Sequence, residues 1–438
     1  MLQKDYSVFI TSYIAEMRIL ILSKEAWRDE QNGGNVLSNI FKDFDAEFAQ
    51  IYCNECLPNN NICTNYFRIT DREMLNSIRG KETAGKRLKF ECIPNDTILE
   101  KESFSSGKKW LKSLLPILRE LVWWMGKWNE KKIIDFVTEF NPDIIFAPCY
   151  GNHYMHKLTH LVHSITDAKI ISYISDDHYS NHQLRWEPWY WINHLILRCN
   201  TRKVFKLYSL VYTMTSEQKI QCEQNFNANM KVLCKAGTFD KEFLKHKVNK
   251  PIKIIYAGGI YLNRWKTLKL LVDAIRDIDS TGQSFTLDIY TNNPLSAEMN
   301  KAINDRVVST VHPVVKANEL KDIYHKADIA LHCESFDIIN RLKVRLSFST
   351  KIVDCLDSGC AVMAICDPKQ AGLAYLKRND AAICITQPSS LEIELNNILQ
   401  HPDILLNYQH KAFELGNKNH QASQISKSIT TDFEFFSK

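Results

Sequence analysis

Short apolar runs alternate along this chain with longer stretches in which apolar residues recur every three or four positions. In the first half the runs 18-RILILS-23, 48-FAQIYC-53, 143-DIIFAP-148, 169-KIISYIS-175 and 210-LVYTMT-215 read as strands. In the second half 252-IKIIYAGG-259, 285-FTLDIYT-291, 328-DIALHCE-334, 361-AVMAIC-366 and 381-AAICIT-386 do the same. Near-continuous apolar runs, rather than alternating ones, are expected of strands covered on both faces in a parallel sheet. Between them, 35-NVLSNIFKDF-44, 155-MHKLTHLVHSI-165, 216-SEQKIQCEQNF-226 and 266-KTLKLLVDAIRDI-278 carry the helical period. Strand and helix in strict alternation predict an α/β protein of two doubly wound, Rossmann-like domains.

The alternation breaks once, over 232-VLCKAGTFDKEFLKHKVNKP-251, which lacks either period. This divides the chain into a first domain at 17–235, a linker at 236–249 and a second domain at 250–415, with an extension at 1–16 and a tail at 416–438. A length of 438 residues with 45% apolar content suits two cores of this size. No run reaches the roughly 18 apolar residues of a spanning helix. The net charge of +5 is too small a surplus for a nucleic-acid protein. The 13 cysteines form no spaced framework and no secretory leader precedes them, so a cytoplasmic location with reduced thiols is expected. Cys53, Cys56 and Cys63 have partial zinc-knuckle spacing, but no second pair completes four ligands, and no metal site is expected.

Ligands of open α/β sheets bind beyond the carboxyl ends of the strands, which directs attention to the loops that follow them. After the first strand, Gly33 and Gly34 stand before a helix, where a backbone without side chains can approach an anion. The dinucleotide fingerprint GxGxxG is absent. After 252-IKIIYA-257 come Gly258 and Gly259, then Arg264 at the head of a long helix, an arrangement suited to a diphosphate. Lys266 is a competing cation. In 348-FSTKIVDCLDSGCAVMAI-365, Ser349, Thr350 and Lys351 precede a helix that carries Asp354 one turn in. Hydroxyls and amides there can hold a phosphate or ribose and the carboxylate can accept from ribose hydroxyls, although the same residues also make a plain helix cap.

Taken together, these motifs resemble the GT-B glycosyltransferases, and most closely their large family 4. The stretch 349-STKIVDCLDSGCAVMA-364 is similar to the family's PSKxxEYLAxGxPVxA, 254-IIYAGGIYLNRWKTLKLLVDAI-275 to its donor-site strand and helix, and 232-VLCKAGTFDKEF-243 to its interdomain linker. The resemblance implies two Rossmann-like domains facing a central cleft. It further implies a nucleotide diphosphate sugar as co-substrate with no other cofactor, metal independence and retention at the anomeric carbon. By position, Arg264 would hold the diphosphate, Gly34 would back it and Asp354 would take the ribose. The chain departs from the pattern at Gly259, where the family has a basic residue, and at Leu346, where it has an acid; Glu334 is the nearest carboxylate that could replace the latter.

His153, Asp176 and Asp177 follow first-domain strands and are the expected acceptor-side groups, able to orient a hydroxyl or take its proton. The acceptor is expected to be a saccharide or a lipid-linked polysaccharide precursor. Residues 101–132 hold eight Lys/Arg against three acids. Helical geometry puts Trp123 on the basic face of 108–132, near Arg119, so peripheral contact with an anionic membrane is expected there. Two rival readings keep the donor site: a nucleotide-sugar epimerase, and a non-catalytic nucleotide-sugar-binding subunit.

Overall fold

The structure, a computed structural model, describes residues 17–29, 32–89 and 109–438. The extension at 1–16 and Lys108 lie outside the described residues. In chain order the first half runs β1 (Met17–Ser23), α1 (Asn32–Phe41), β2 (Ala46–Tyr52), β3 (Asn65–Arg68), α2 (Asp71–Ile78), β4 (Lys86–Lys89), α3 (Lys109–Met125), α4 (Glu130–Phe140), β5 (Ile144–Phe146), α5 (His153–His163), β6 (Lys169–Ile174), α6 (Pro188–Phe205), β7 (Tyr208–Thr213), α7 (Ser216–Glu223) and β8 (Met230–Val232). The second runs β9 (Ile252–Ala257), α8 (Arg264–Ile278), β10 (Phe285–Tyr290), α9 (Ala297–Ile303), β11 (Ser309–His312), α10 (Ala317–His325), β12 (Ile329–Cys333), α11 (Ile338–Val344), α12 (Lys351–Leu356), β13 (Ala361–Ile365), α13 (Ala371–Arg378), β14 (Ile383–Ile385), α14 (Leu391–Gln400), α15 (Asp403–Asn419) and α16 (Ala422–Phe436).

The strands form two sheets, in the orders β4-β3-β2-β1-β5-β6-β7-β8 and β11-β10-β9-β12-β13-β14. β1–β2, β1–β5, β2–β3, β5–β6 and β7–β8 pair in parallel, as do the neighbouring strands of the second sheet, and β3–β4 pairs antiparallel. In each sheet the order turns back on itself beside the first strand, between β1 and β5 and between β9 and β12, which is the doubly wound pattern. Every expected strand is present. The short strands β3, β4, β8 and β11 were not anticipated, because, unlike the equally short β5 and β14, none of them holds three consecutive apolar residues.

Contacts gather the chain into two compact units. One holds the described residues up to 148 with 152–171 and 432–438, and the other holds 149–151 with 172–431. The second unit thus takes in the unpatterned 236–249 stretch along with the second sheet. Its core is built by the helical stripe Leu268, Leu271, Val272 and Ile275 of α8 against Phe285, Leu287 and Ile289 of β10, all fully buried. Each such side chain contributes roughly 1.5–3 kcal/mol on burial. The residues read as a tail, 416–438, are largely helical, in the end of α15 and in α16. Phe433 packs in the first unit's core against Phe41, Phe44 and Phe146, with ring centroids 5.7, 5.3 and 6.2 Å away.

Candidate nucleotide-binding site

The reversal between β9 and β12 makes the crevice at their carboxyl ends the natural ligand position of the second sheet. Gly258 and Gly259 follow β9 directly. The loop that continues to Asn263 is tied down by the Tyr256 hydroxyl, which donates to the Gly259 carbonyl at 2.7 Å, and by the Ile260 amide, which donates to Asn293 at 2.8 Å. Asn263 then takes a left-handed conformation, φ 60°, that turns the chain into α8. Asparagine tolerates that conformation better than most residues.

Arg264 opens α8 with only 7% of its surface exposed. Its Nε and one terminal nitrogen each donate at 2.8 Å to the two oxygens of Glu334, which is equally buried at the end of β12. The Tyr261 ring lies 4.8 Å beneath the guanidinium. Thr267 holds the backbone of Glu334, its hydroxyl donating to the carbonyl at 2.8 Å. Burial opposes the charge on Arg264, but the hydrogen bonds and charge of Glu334 outweigh it and hold the guanidinium more firmly protonated than usual. A fork-to-fork pair of this kind has a single geometry.

Lys351, at the head of α12, brings a second cation. Its amine lies against Gly258 so closely that a Cβ there would stand 2.1 Å from Nζ. Burial first, and then repulsion from Arg264, lower its pKa below the ordinary lysine value. Among the described residues it makes no ion pair. His332, one strand position before Cys333, is buried with its Nε2 unpartnered. Burial pushes its pKa down to about 4, with Glu334 opposing, so at neutral pH it is uncharged. Two cations, Arg264 buried and Lys351 half-buried, therefore stand near one carboxylate, which pairs with Arg264 alone. A buried positive excess is unfavourable by itself and is relieved by an anion.

Backbone amides contribute less to this site than the motif suggested. The first amides of α8, at Arg264, Trp265 and Lys266, already donate to the loop carbonyls of Tyr261, Ile260 and Asn263 at 3.3, 3.4 and 3.0 Å. Those of Ile352 and Val353 in α12 donate to Ser349 and Thr350 at 2.9 and 3.2 Å. The charge in this crevice is carried by side chains. Thr350 is exposed, Ser349 half-buried, and Asp354 is ion-paired with Lys235, a partner that the sequence did not single out. Gly33 and Gly34 lie inside the first turn of α1 rather than ahead of it.

The acceptor-side candidates separate. The Asp177 carboxylate accepts from the Ser180 amide at 2.9 Å and from the Ser180 hydroxyl, closing its own turn, and meets Arg345 at 3.5 Å. Asp176 is exposed and accepts from the Ser347 hydroxyl at 3.1 Å. His153, half-buried, is the first residue of α5 and belongs to the first unit; its amide donates to Glu120 at 3.3 Å. His332 went unremarked as chemistry in the sequence, although a histidine inside the apolar run IALHC was a visible signal.

The expected exposure of Trp123 is corrected by the structure. Its ring is 2% exposed, stacks on Tyr154 at 4.2 Å, and donates from Nε1 to Asp71 at 2.6 Å. Arg119 reaches the same carboxylate oxygen at 2.8 Å. Helical geometry does group Trp123 with Arg119, but an acid on α2 draws that face inward. Among the described residues, no helix is long and apolar enough to cross a membrane.

The sequence matches no protein-family profile and no curated protein. The fold does match solved structures. Anabaena HepE (Alr3699) in complex with UDP is 12% identical with a TM-score of 0.60, covering 96% of this chain and 100% of that one. Sucrose-phosphate synthase from Thermosynechococcus elongatus is 10% identical with a TM-score of 0.62, over 96% and 99% of the two chains. The UDP-forming α,α-trehalose-phosphate synthase of Burkholderia xenovorans, in complex with glucose-6-phosphate, is 7% identical with a TM-score of 0.55, over 95% and 100%. The architecture is that of the GT-B glycosyltransferases, as the sequence motifs implied.

Proposed function

We propose that this chain is a glycosyltransferase that takes its sugar from a nucleoside diphosphate sugar bound at the β9/β12 crevice and passes it to an acceptor hydroxyl. One observation carries the reading: an excess of positive charge at the switch point of a sheet in this fold, with buried Arg264 and half-buried Lys351 beside a single carboxylate. A diphosphate supplies the missing negative charge. Gly258 makes room for the Lys351 amine and Gly259 for the Tyr261 ring beside the strand end, and in this reading Asp354 with Ser349 and Thr350 takes the ribose. Glu334, the carboxylate that could replace the family's acid, is committed on both oxygens to Arg264. Its role in this reading is to hold the guanidinium in place.

As the glycosidic bond breaks, charge grows on the departing phosphate oxygens. Cations already fixed at the site stabilise it without reorganising. In this reading the reaction needs no divalent metal, retains the anomeric configuration and uses Asp176 to orient a saccharide acceptor, lipid-linked or free. A non-catalytic binding subunit is the second reading, favoured by the commitment of both Glu334 and Asp177 to structural partners.

The test is a thermal-shift comparison of UDP with uridine, since solved neighbours hold UDP, followed by UDP release from UDP-sugars with and without EDTA in the presence of glycan acceptors. A ligand bound only by the native state raises stability by mass action. Stabilisation by UDP but not uridine, with EDTA-resistant release, is expected. Equal response to both ligands would remove the diphosphate site, and UDP binding without turnover on any acceptor would favour the subunit.

A further inference from the structure

Helix α6 carries apolar residues on two opposite faces. Leu197, Thr201, Val204 and Phe205 are buried beneath it with His194. On the other side Trp189, Ile192, Leu195 and Ile196 are exposed, at the three- and four-residue spacing of one helical stripe, and Trp186 just before the helix is 85% exposed. Continuing the same stripe by about 100° per residue, the last turn presents Arg202 and Lys203, with Lys206 following at the cap; all three are exposed. Residues 184–206 hold five Lys/Arg against one acid, Glu187. Solvent-facing residues of a surface helix are ordinarily polar, so the outer stripe has no folding role.

We infer that the outer face of α6 docks this protein on an anionic lipid bilayer, with the tryptophans and aliphatic stripe in the interfacial region and the Arg202–Lys206 end on the headgroups. Charge complementarity selects this occupant. An apolar stripe ending in three cations matches a surface that is apolar within and negative outside. A second copy is a poorer fit: five apolar side chains are a fraction of the roughly 20–30 residues a side that a stable interface uses. The inference is independent of the transferase reading, because docking is measured without donor or acceptor.

The experiment is co-sedimentation of the full chain with vesicles of phosphatidylcholine alone and of phosphatidylcholine with one-quarter phosphatidylglycerol, at 50 and 500 mM salt. Three variants are compared with the wild type: Trp186→Ser with Ile192→Ser, Arg202→Gln with Lys203→Gln, and, as a control on α3, Leu121→Ser with Trp124→Ser. All substituted side chains are exposed, and unfolding curves check that each variant keeps its fold. Wild type is expected to partition at least tenfold better to the anionic vesicles, an advantage that shrinks at 500 mM salt. The apolar pair should lose binding to both vesicles; the cation pair should lose roughly fivefold per charge on anionic vesicles only. Equal partition to both vesicle types, or loss with the α3 variant but not the α6 variants, overturns the inference. So does a concentration-dependent dimer that the Ile192 variant abolishes, since the face would then belong to a second copy.

Discussion

Two ionic clusters of the second unit are built from similar residues to opposite effect. At the β9/β12 crevice, a buried arginine and a half-buried lysine stand beside one buried carboxylate, with charge left over. Around Asp177, one carboxylate meets a serine amide, a serine hydroxyl and an arginine, so every charge has its counterpart. Arg345 is likewise shared with Gln221, which accepts at 2.7 Å. Satisfied charges hold a loop; an unsatisfied excess, partly shielded from water, holds a place for something absent from the chain. Ligand sites are distinguished by imbalance rather than by the number of charged residues.

The comparison breaks most readily at Glu334. Glu334→Ala leaves the buried Arg264 unpaired, with half-buried Lys351 beside it, and is expected to destabilise the fold by about 3–5 kcal/mol in urea unfolding. Saturating UDP should restore part of that loss. Asp177→Ala should be milder and indifferent to UDP, and a UDP-sensitive Asp177 variant would erase the distinction drawn here.

His332 gives a pH-dependent version. Its folded pKa, about 4, lies below the unfolded 6.5, so the unfolded chain binds more protons between those values. Stability from this group is therefore intact above pH 6.5 and falls as pH drops to 4, by about 3 kcal/mol at 1.36 kcal/mol per pKa unit. Unfolding curves at pH 7, 5.5 and 4.5 should show wild type losing about 2 kcal/mol more than His332→Leu by the last of these. Parallel curves for the two would mean that the imidazole is not held neutral.

Lys351→Met separates binding from stability. Removing the surplus cation should leave the unfolding midpoint unchanged or higher, while UDP affinity falls by roughly 1.5–3 kcal/mol and uridine affinity does not change. Calorimetric titration reads both, and a variant that loses stability while keeping affinity would put the lysine in the wrong role. The smallest effect on stability is expected of Asp176→Asn. An exposed acid accepting one hydroxyl is worth under about 1 kcal/mol, so the fold and UDP binding should persist. Sugar transfer should drop by roughly a hundredfold or more if Asp176 serves the acceptor, and unchanged turnover would leave it a loop residue.

What was legible follows from the range of the interactions involved. Each long strand announced itself because a buried parallel strand must be apolar at consecutive positions, and α8 because its core stripe recurs with the helical turn. The charged site was legible as a set of residue types: Gly258, Gly259, Arg264, Lys351 and Glu334 were all marked by their positions after strands or before helices. Their relation was not. Glu334 and Arg264 are 70 residues apart, and only the β9–β12 pairing makes them partners.

The tryptophan helices show the same limit most sharply. Local sequence placed Trp123 beside Arg119 on a basic face, and the grouping is right; whether such a face turns to water or to the interior depends on Asp71, carried by another helix. In α6, apolar residues around most of the circumference concealed which stripe was outermost, since a helix period reports that a face exists and not what covers it. Sequence alone determined the two doubly wound sheets, their strand-end loops and the residue types gathered there, because backbone preference and apolar period are local. The tertiary structure decided which carboxylate neutralises which cation, which charge is left over and which tryptophans face outward, because burial and pairing are set by chain segments far away in sequence.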